Sequence, residues 1–278
     1  MPRRLPSLTA LFATLVFVFL YAPIVVVFVN SFNADPLLIG WGGFTLDWYQ
    51  TAFDNERVRT DFVASVQIAL LSAALSLAIA VTASLWARRA SRRARRLFDA
   101  TTYMRIVLPE VVLAIALFIF LRRLDLQLGL WSIVVGHVVF NSAYATVVIQ
   151  ARMATLTTTL EDAAADLGSP PRRVFQRVTL PLLMPAIIVA GLLTLTFSFD
   201  DVVTSLFLGG AETETLPVLL LGMIRLRVTP EVNAIGAGVM LITMVSFALA
   251  VAVATIRTST GVRGAAVETA GATRKEER

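Results

Sequence analysis

Hydrophobic residues in this chain gather into long runs, with charges pushed to their edges. No Asp, Glu, Lys or Arg falls among the 30 residues between Arg4 and Asp35, or the 26 between Asp61 and Arg88. Three more such windows follow: 26 residues between Asp125 and Arg152, 22 between Arg177 and Asp200, and 25 between Glu231 and Arg257. A helix crossing the hydrocarbon layer needs about 20 apolar residues. The pattern predicts spans at about 8–29, 62–87, 105–121, 128–149, 180–199 and 233–256. The third is short and carries Glu110. The run behind Arg3 and Arg4 is too long for a signal-peptide core and has no clear cleavage site, so it is expected to be retained as the first span.

Basic residues orient the spans. Segments 1–7, 88–105, 150–179 and 257–278 hold 18 of the 24 Lys and Arg residues. Positively charged loops stay in the cytoplasm, which predicts both termini inside. Outside, residues 33–61 form a long polar loop with aromatics (Trp41, Phe44, Trp48, Tyr49 and Phe53) suited to the membrane interface. Residues 202–224 carry two apolar stretches too short to span, around Gly209 and Gly210, and read as a re-entrant or surface hairpin. The expected architecture is an all-α polytopic membrane protein, with a transmembrane domain over residues 1–257 and a disordered cytoplasmic tail over 258–278.

Composition then excludes most chemistry. The chain of 278 residues is 57% hydrophobic and 15% charged, against the roughly 25% charged residues of a soluble domain. With no Cys and one His, His137, it cannot build a Cys/His zinc site or an iron–sulfur centre. Its one lysine, Lys275, lies in the polar tail, so a phosphate-cradling Gly-Lys-Ser/Thr loop is impossible. Any ATP consumed must be hydrolysed, with its Mg, on another chain. The net charge of +5 sits in cytoplasmic loops facing anionic lipid, which points away from nucleic acid.

The most informative polar segment is the loop 150–179. Thr158 and Glu161 have capping-box spacing, and Glu161 and Asp162 suit the positive end of a helix. Leu160, Ala163, Ala164 and Leu167 recur at i, i+3, i+4 and i+7, giving one narrow apolar stripe. Gly168 is placed to end this helix in the left-handed conformation. Ser169 and Pro170 then look like the cap and first residue of a second helix. Two readings fit: an interfacial helix packed on its own bundle, or a small-residue face made for a groove on another protein.

The run Glu161-Asp162-Ala163-Ala164-x-Asp166-Leu167-Gly168, followed by Phe175, Val178, Leu180-Pro181 and Pro185, resembles the E-A-A motif of bacterial ABC-importer permeases. Asp162 and the Pro170-Pro171 pair depart from the usual form without breaking the stripe. Phe197-Ser198-Phe199-Asp200-Asp201, Thr215-Leu216-Pro217 and Val228-Thr229-Pro230-Glu231-Val232-Asn233-Ala234 extend the resemblance to the spermidine/putrescine permeases, over about residues 8–257. The resemblance implies a type I importer permease fold and a non-enzymatic transport subunit. Glu161, Asp162, Ala163, Ala164, Leu167, Gly168 and Phe175 would belong to a coupling helix docked on the ATPase. It also implies three partners: an ABC ATPase homodimer, a second related permease chain and an extracytoplasmic polyamine-binding protein. Permeases for other small solutes share the loop motif, and a stand-alone secondary transporter is the remaining alternative.

Polycations need carboxylates and aromatic faces along their path, and acids inside a membrane usually face a cavity or the bundle interior. Glu110, Asp200 and Asp201 are the acids in question, with Trp48 at the outer mouth. Each also has a plainer reading: Asp200 and Asp201 as solvated helix-end acids, Glu110 as a partner of Arg105, and Trp48 as an interface aromatic. Adjacent helical residues point about 100° apart, so at most one of Asp200 and Asp201 faces a pore squarely. His137 has no acid within a turn and reads as an interhelical hydrogen-bonder, with Asn141 and Ser142 as local partners.

Overall fold

The computed structural model describes residues 8–211, 213–245 and 248. Helices dominate, with an isolated bridge between Asn33 and Phe44 in place of any strand among the described residues. They are α1 (Leu8–Asn30), α2 (Asp47–Asp54), α3 (Glu56–Arg89), α4 (Arg92–Val107), α5 (Glu110–Arg123), α6 (Leu130–Ala154) and α7 (Thr159–Asp166). After these come α8 (Pro171–Asp200), α9 (Val203–Leu208), α10 (Leu216–Leu226) and α11 (Pro230–Val245).

Among the described residues four helices, α1, α3, α6 and α8, are long and apolar enough to cross a membrane, and the bent pair α4–α5 makes a fifth if taken as one span. The expected third span, 105–121, is therefore no straight helix. Its chain breaks at Leu108-Pro109, where the axis turns by 104°. Pro109 cannot donate a backbone hydrogen bond, and it drives Leu108 into an extended conformation (φ −65°, ψ 135°). Arg105 consequently belongs to α4. The expected sixth span, 233–256, is described as helix through Val245; its remainder, the segment 1–7 and the tail 258–278 lie outside the described residues.

Two compact units divide the chain. One draws on residues up to Phe62 and on Val218–Thr243. In it, α1 is apolar all round and exposes its side chains along its length, as a lipid-facing helix does. The following loop is built around Asn33. Its side chain accepts from the backbone N–H groups of Asp35 (3.0 Å) and Gly42 (2.8 Å) and donates to the Gly40 carbonyl (2.7 Å). The Asp35 carboxylate takes backbone N–H groups from Leu37, Gly40 and Ile39, which hold it below its ordinary value.

The second unit contains Val63–Pro217. Its centre is the packing of α6 on α8, with α4 against α6 and α9 against α5 and α6. Ala73, Ser76, Ala80, Ser84 and Ala87 recur at helical spacing on α3 and are all buried. Small residues let helix backbones approach closely where apolar burial gives no advantage over lipid. Ala80 joins Ala145, Ile149, Leu183 and Ala190 in one core cluster. Ile68, Leu121, Ile133, Val134 and Leu208 form another.

Candidate functional site

The loop that carries the Glu-Ala-Ala sequence folds as α7 and ends as its glycine requires. Gly168 has φ +76°, its N–H donates to Ala165 (2.9 Å), and Ser169 N–H reaches back to Ala164 (3.1 Å). This pair of bonds closes the helix in a Schellman motif. The expected capping box does not form: Thr158 makes no side-chain cap, and Glu161 is occupied elsewhere. Its carboxylate takes Nη1 of Arg88 at 2.9 and 3.0 Å and the Thr179 hydroxyl at 2.8 Å. A charged guanidinium outcompetes a backbone amide for the same oxygens, so the acid braces α7 between the end of α3 and the base of α8. These elements enclose a cleft of about 880 Å³, lined also by Trp86, Asp162 and Phe175.

The second helix begins one residue later than its sequence suggests, with Pro170 at the cap and Pro171 as the first residue. It runs without interruption into the membrane segment through a π-turn at Phe175–Thr179. Leu160, Ala163 and Leu167 are exposed, so the stripe of α7 is not spent on its own bundle; Leu167 is 87% accessible.

A second site lies deep among α3, α5, α6, α8 and α9. Asp201 ends α8 in an extended conformation, and its Oδ1 accepts the backbone N–H of Ser205 (3.0 Å) at the start of α9. The same oxygen stands 3.3 Å from Nε2 of His137, a ring only 1% accessible. Nδ1 of His137 meets the Ser198 hydroxyl (2.6 Å), which in turn meets Ser72 of α3 (2.7 Å). Glu110, the first residue of α5, hydrogen-bonds Asp201 and accepts from Thr204 (3.3 Å). Gly136 permits the approach, because a Cβ there would stand 2.5 Å from the Thr204 methyl and 2.6 Å from Leu208.

Several sequence expectations change here. His137 is partnered by Ser198 and Asp201, more than sixty residues away, and not by Asn141 or Ser142. Asn141 donates to the Thr194 carbonyl (3.4 Å), and Ser142 accepts from Arg105 (2.9 Å). Arg105 also donates to the Val139 carbonyl (3.1 Å), so it is no partner of Glu110. Asp201 and Glu110 are brought together, whereas Asp200 is exposed at the helix end. Trp48, in the other unit, spends its indole N–H on the Asn33 carbonyl (2.9 Å). The interhelical hydrogen bonding expected of His137 is present, but its partners carried no short-range signal in the sequence.

Residues 79–260 match the family of binding-protein-dependent transport system inner membrane components. The chain belongs to that family. It is 33% identical over 224 residues to the spermidine/putrescine transport system permease protein PotC of Haemophilus influenzae, covering 81% of this chain and 87% of that one. Against the putrescine transport system permease protein PotI of Escherichia coli it is 34% identical, over 79% of this chain and 80% of the relative. Among solved structures, a bacterial ABC transporter involved in import of the acidic polysaccharide alginate superposes with a TM-score of 0.70 at 17% identity, over 90% of this chain and 98% of that one. The inward-facing methionine transporter MetNI gives 0.60 at 16% identity, over 71% and 94%. This family member is a multi-pass inner-membrane permease subunit with the importer-permease fold.

Proposed function

We propose that the chain forms half of the membrane pathway of an ATP-driven importer for polyamines such as spermidine and putrescine. The observation that carries this reading is the meeting of Glu110 and Asp201 in an apolar bundle, in a chain whose relatives are named for those cargoes. Intramembrane carboxyls are costly and are retained where they meet ions or substrates. Elongated diamines and triamines present ammonium groups that complement such acids. Asp200, at the exposed end of α8, would attract the cation first.

In this scheme the chain crosses six times with both termini in the cytoplasm, as its arginine distribution supports. An extracytoplasmic binding protein delivers the polyamine, and a second related permease completes the pathway. An ATPase homodimer carrying ATP and Mg receives α7 in a groove, against the exposed Leu160, Ala163 and Leu167. Glu161 serves this coupling indirectly by holding α7 to Arg88 and Thr179, while Asp162, Ala164 and Phe175 complete the docking loop. Closure of the ATPase dimer would then draw the loops together and turn the cavity outward.

The direct test is uptake of labelled spermidine and putrescine by cells lacking this chain, with and without the gene restored. Loss on deletion with recovery on restoration supports the reading; unaffected uptake of both overturns the cargo. Glu110→Gln and Asp200→Asn should lower uptake while leaving membrane assembly intact.

A further inference from the structure

His137 is buried in a helix that crosses lipid, where an imidazole is costly unless its polar atoms are met. Here both nitrogens are met, and by the same helix. Ser198 and Asp201 stand three residues apart on one face at the end of α8, and His137 of α6 faces both at 2.6 and 3.3 Å. An ionised carboxylate can only accept, so Nε2 donates to Asp201 and Nδ1 is left to the hydroxyl. Oδ1 of Asp201 thus has two donors from two different helices, His137 and the Ser205 backbone N–H. Two donors on Oδ1, besides the bond to Glu110, hold the carboxyl in one orientation.

We propose that His137 is a positioning residue that sets the orientation of Asp201, and through it the geometry of the Glu110–Asp201 pair that receives the cationic cargo. The proposal rests on the polyamine reading above. The titratable and charged side chains facing this ring are Asp201, with Glu110 behind it; α3 offers Ser72 and α9 offers Ser205, whose hydroxyl lies 3.5 Å from Nε2. His137 itself touches no cargo in this scheme. Its part is to make one carboxyl rotamer available before the cation arrives, which lowers the cost of ordering the site on binding.

The two nitrogens can be tested separately. The amide nitrogen of Gln reaches the region of Nε2, whereas that of Asn reaches the region of Nδ1. Uptake kinetics would be measured in cells lacking the native chain and expressing the wild type, His137→Gln or His137→Asn, with the membrane level of each chain as control. Losing a hydrogen bond to a charged group costs about tenfold. We expect His137→Asn to raise KM by roughly that factor at a nearly unchanged maximal rate, and His137→Gln to stay within about twofold of wild type.

Asp201→Asn should raise KM as well, and adding His137→Asn to it should change nothing further. Equal KM values for Gln and Asn, or independent effects of His137 and Asp201, would overturn the proposal. So would a His137→Gln chain that fails to reach the membrane, because the residue would then serve folding. A wild type that transports neither polyamine overturns the cargo reading, and this proposal falls with it.

Discussion

Gly168 isolates a conformational effect from a contact effect. Its φ of +76° lies in the left-handed region, yet a Cβ built there meets no heavy atom within 4 Å. Gly168→Ala therefore introduces no clash with the rest of the chain, and its cost is the left-handed backbone alone. That cost is roughly 1–2 kcal/mol for a residue with a Cβ, and more for β-branched valine. The helix it closes, α7, has eight residues, below the roughly 12–15 at which an isolated helix is even marginal in water. With so little reserve, most of the strain should appear as loss of the ordered, docking-competent loop. A cost of 1–2 kcal/mol corresponds to about 5- to 30-fold weaker binding. The assay is titration of the purified ATPase onto the permease complex in lipid nanodiscs, alongside the amount of each variant inserted in the membrane. Insertion should be unchanged and affinity should fall in the order Gly168→Asn, Gly168→Ala, Gly168→Val, because asparagine tolerates the left-handed region best. Wild-type affinity for the valine variant, or an asparagine variant as poor as valine, would refute the conformational argument.

Other variants test other links. The Arg88–Glu161 pair is about a quarter accessible on each side, so a double-mutant cycle with Arg88→Ala and Glu161→Gln on thermal unfolding should give a coupling near 1 kcal/mol, discounted for solvent. A coupling of zero would remove Glu161 as a brace. Gly136→Ala forces a methyl to within 2.5 Å of Thr204; overpacking of this kind costs about 1–3 kcal/mol and should lower the melting midpoint of the purified chain. In the loop after α1, the backbone N–H groups of Leu37, Gly40 and Ile39 hold Asp35 below its ordinary value of 3.8. A lowered folded-state value means that its contribution is complete above that ordinary value and disappears as pH falls through the lowered one. Protease resistance of residues 33–46 should therefore be flat from neutral pH down to about 4 and decline only in stronger acid, while Asp35→Ala should be cleaved readily throughout.

The helical framework was legible because it depends on composition over long windows. Charge-free runs located α1, α3, α6 and α8 to within a few residues at most ends, since lipid penalises charge wherever it falls along a span. Gly168 was legible because only one conformation there makes sense of the residues around it. The α4–α5 bend was masked, because hydropathy sums across a proline as readily as along a helix, and the signal at Leu108-Pro109 is local. The Thr158–Glu161 spacing misled for a different reason. A local cap competes with partners from anywhere in the chain, and Arg88, 73 residues earlier, offers the stronger bond. The same applies to His137: no acid lies near it in sequence, and its acid arrives from another helix.

The continuity of α8 has a mechanical consequence. Thirty residues from Pro171 to Asp200 make one continuous helix, about 45 Å long at 1.5 Å per residue. One end stands beside the cleft at α7 and the other beside the buried acids. Pivoting such a lever by about 5° at its base carries its tip through about 4 Å. That travel exceeds the 3.3 Å between His137 and Asp201. A tilt of a few degrees at one end is enough to make or break the contact at the other.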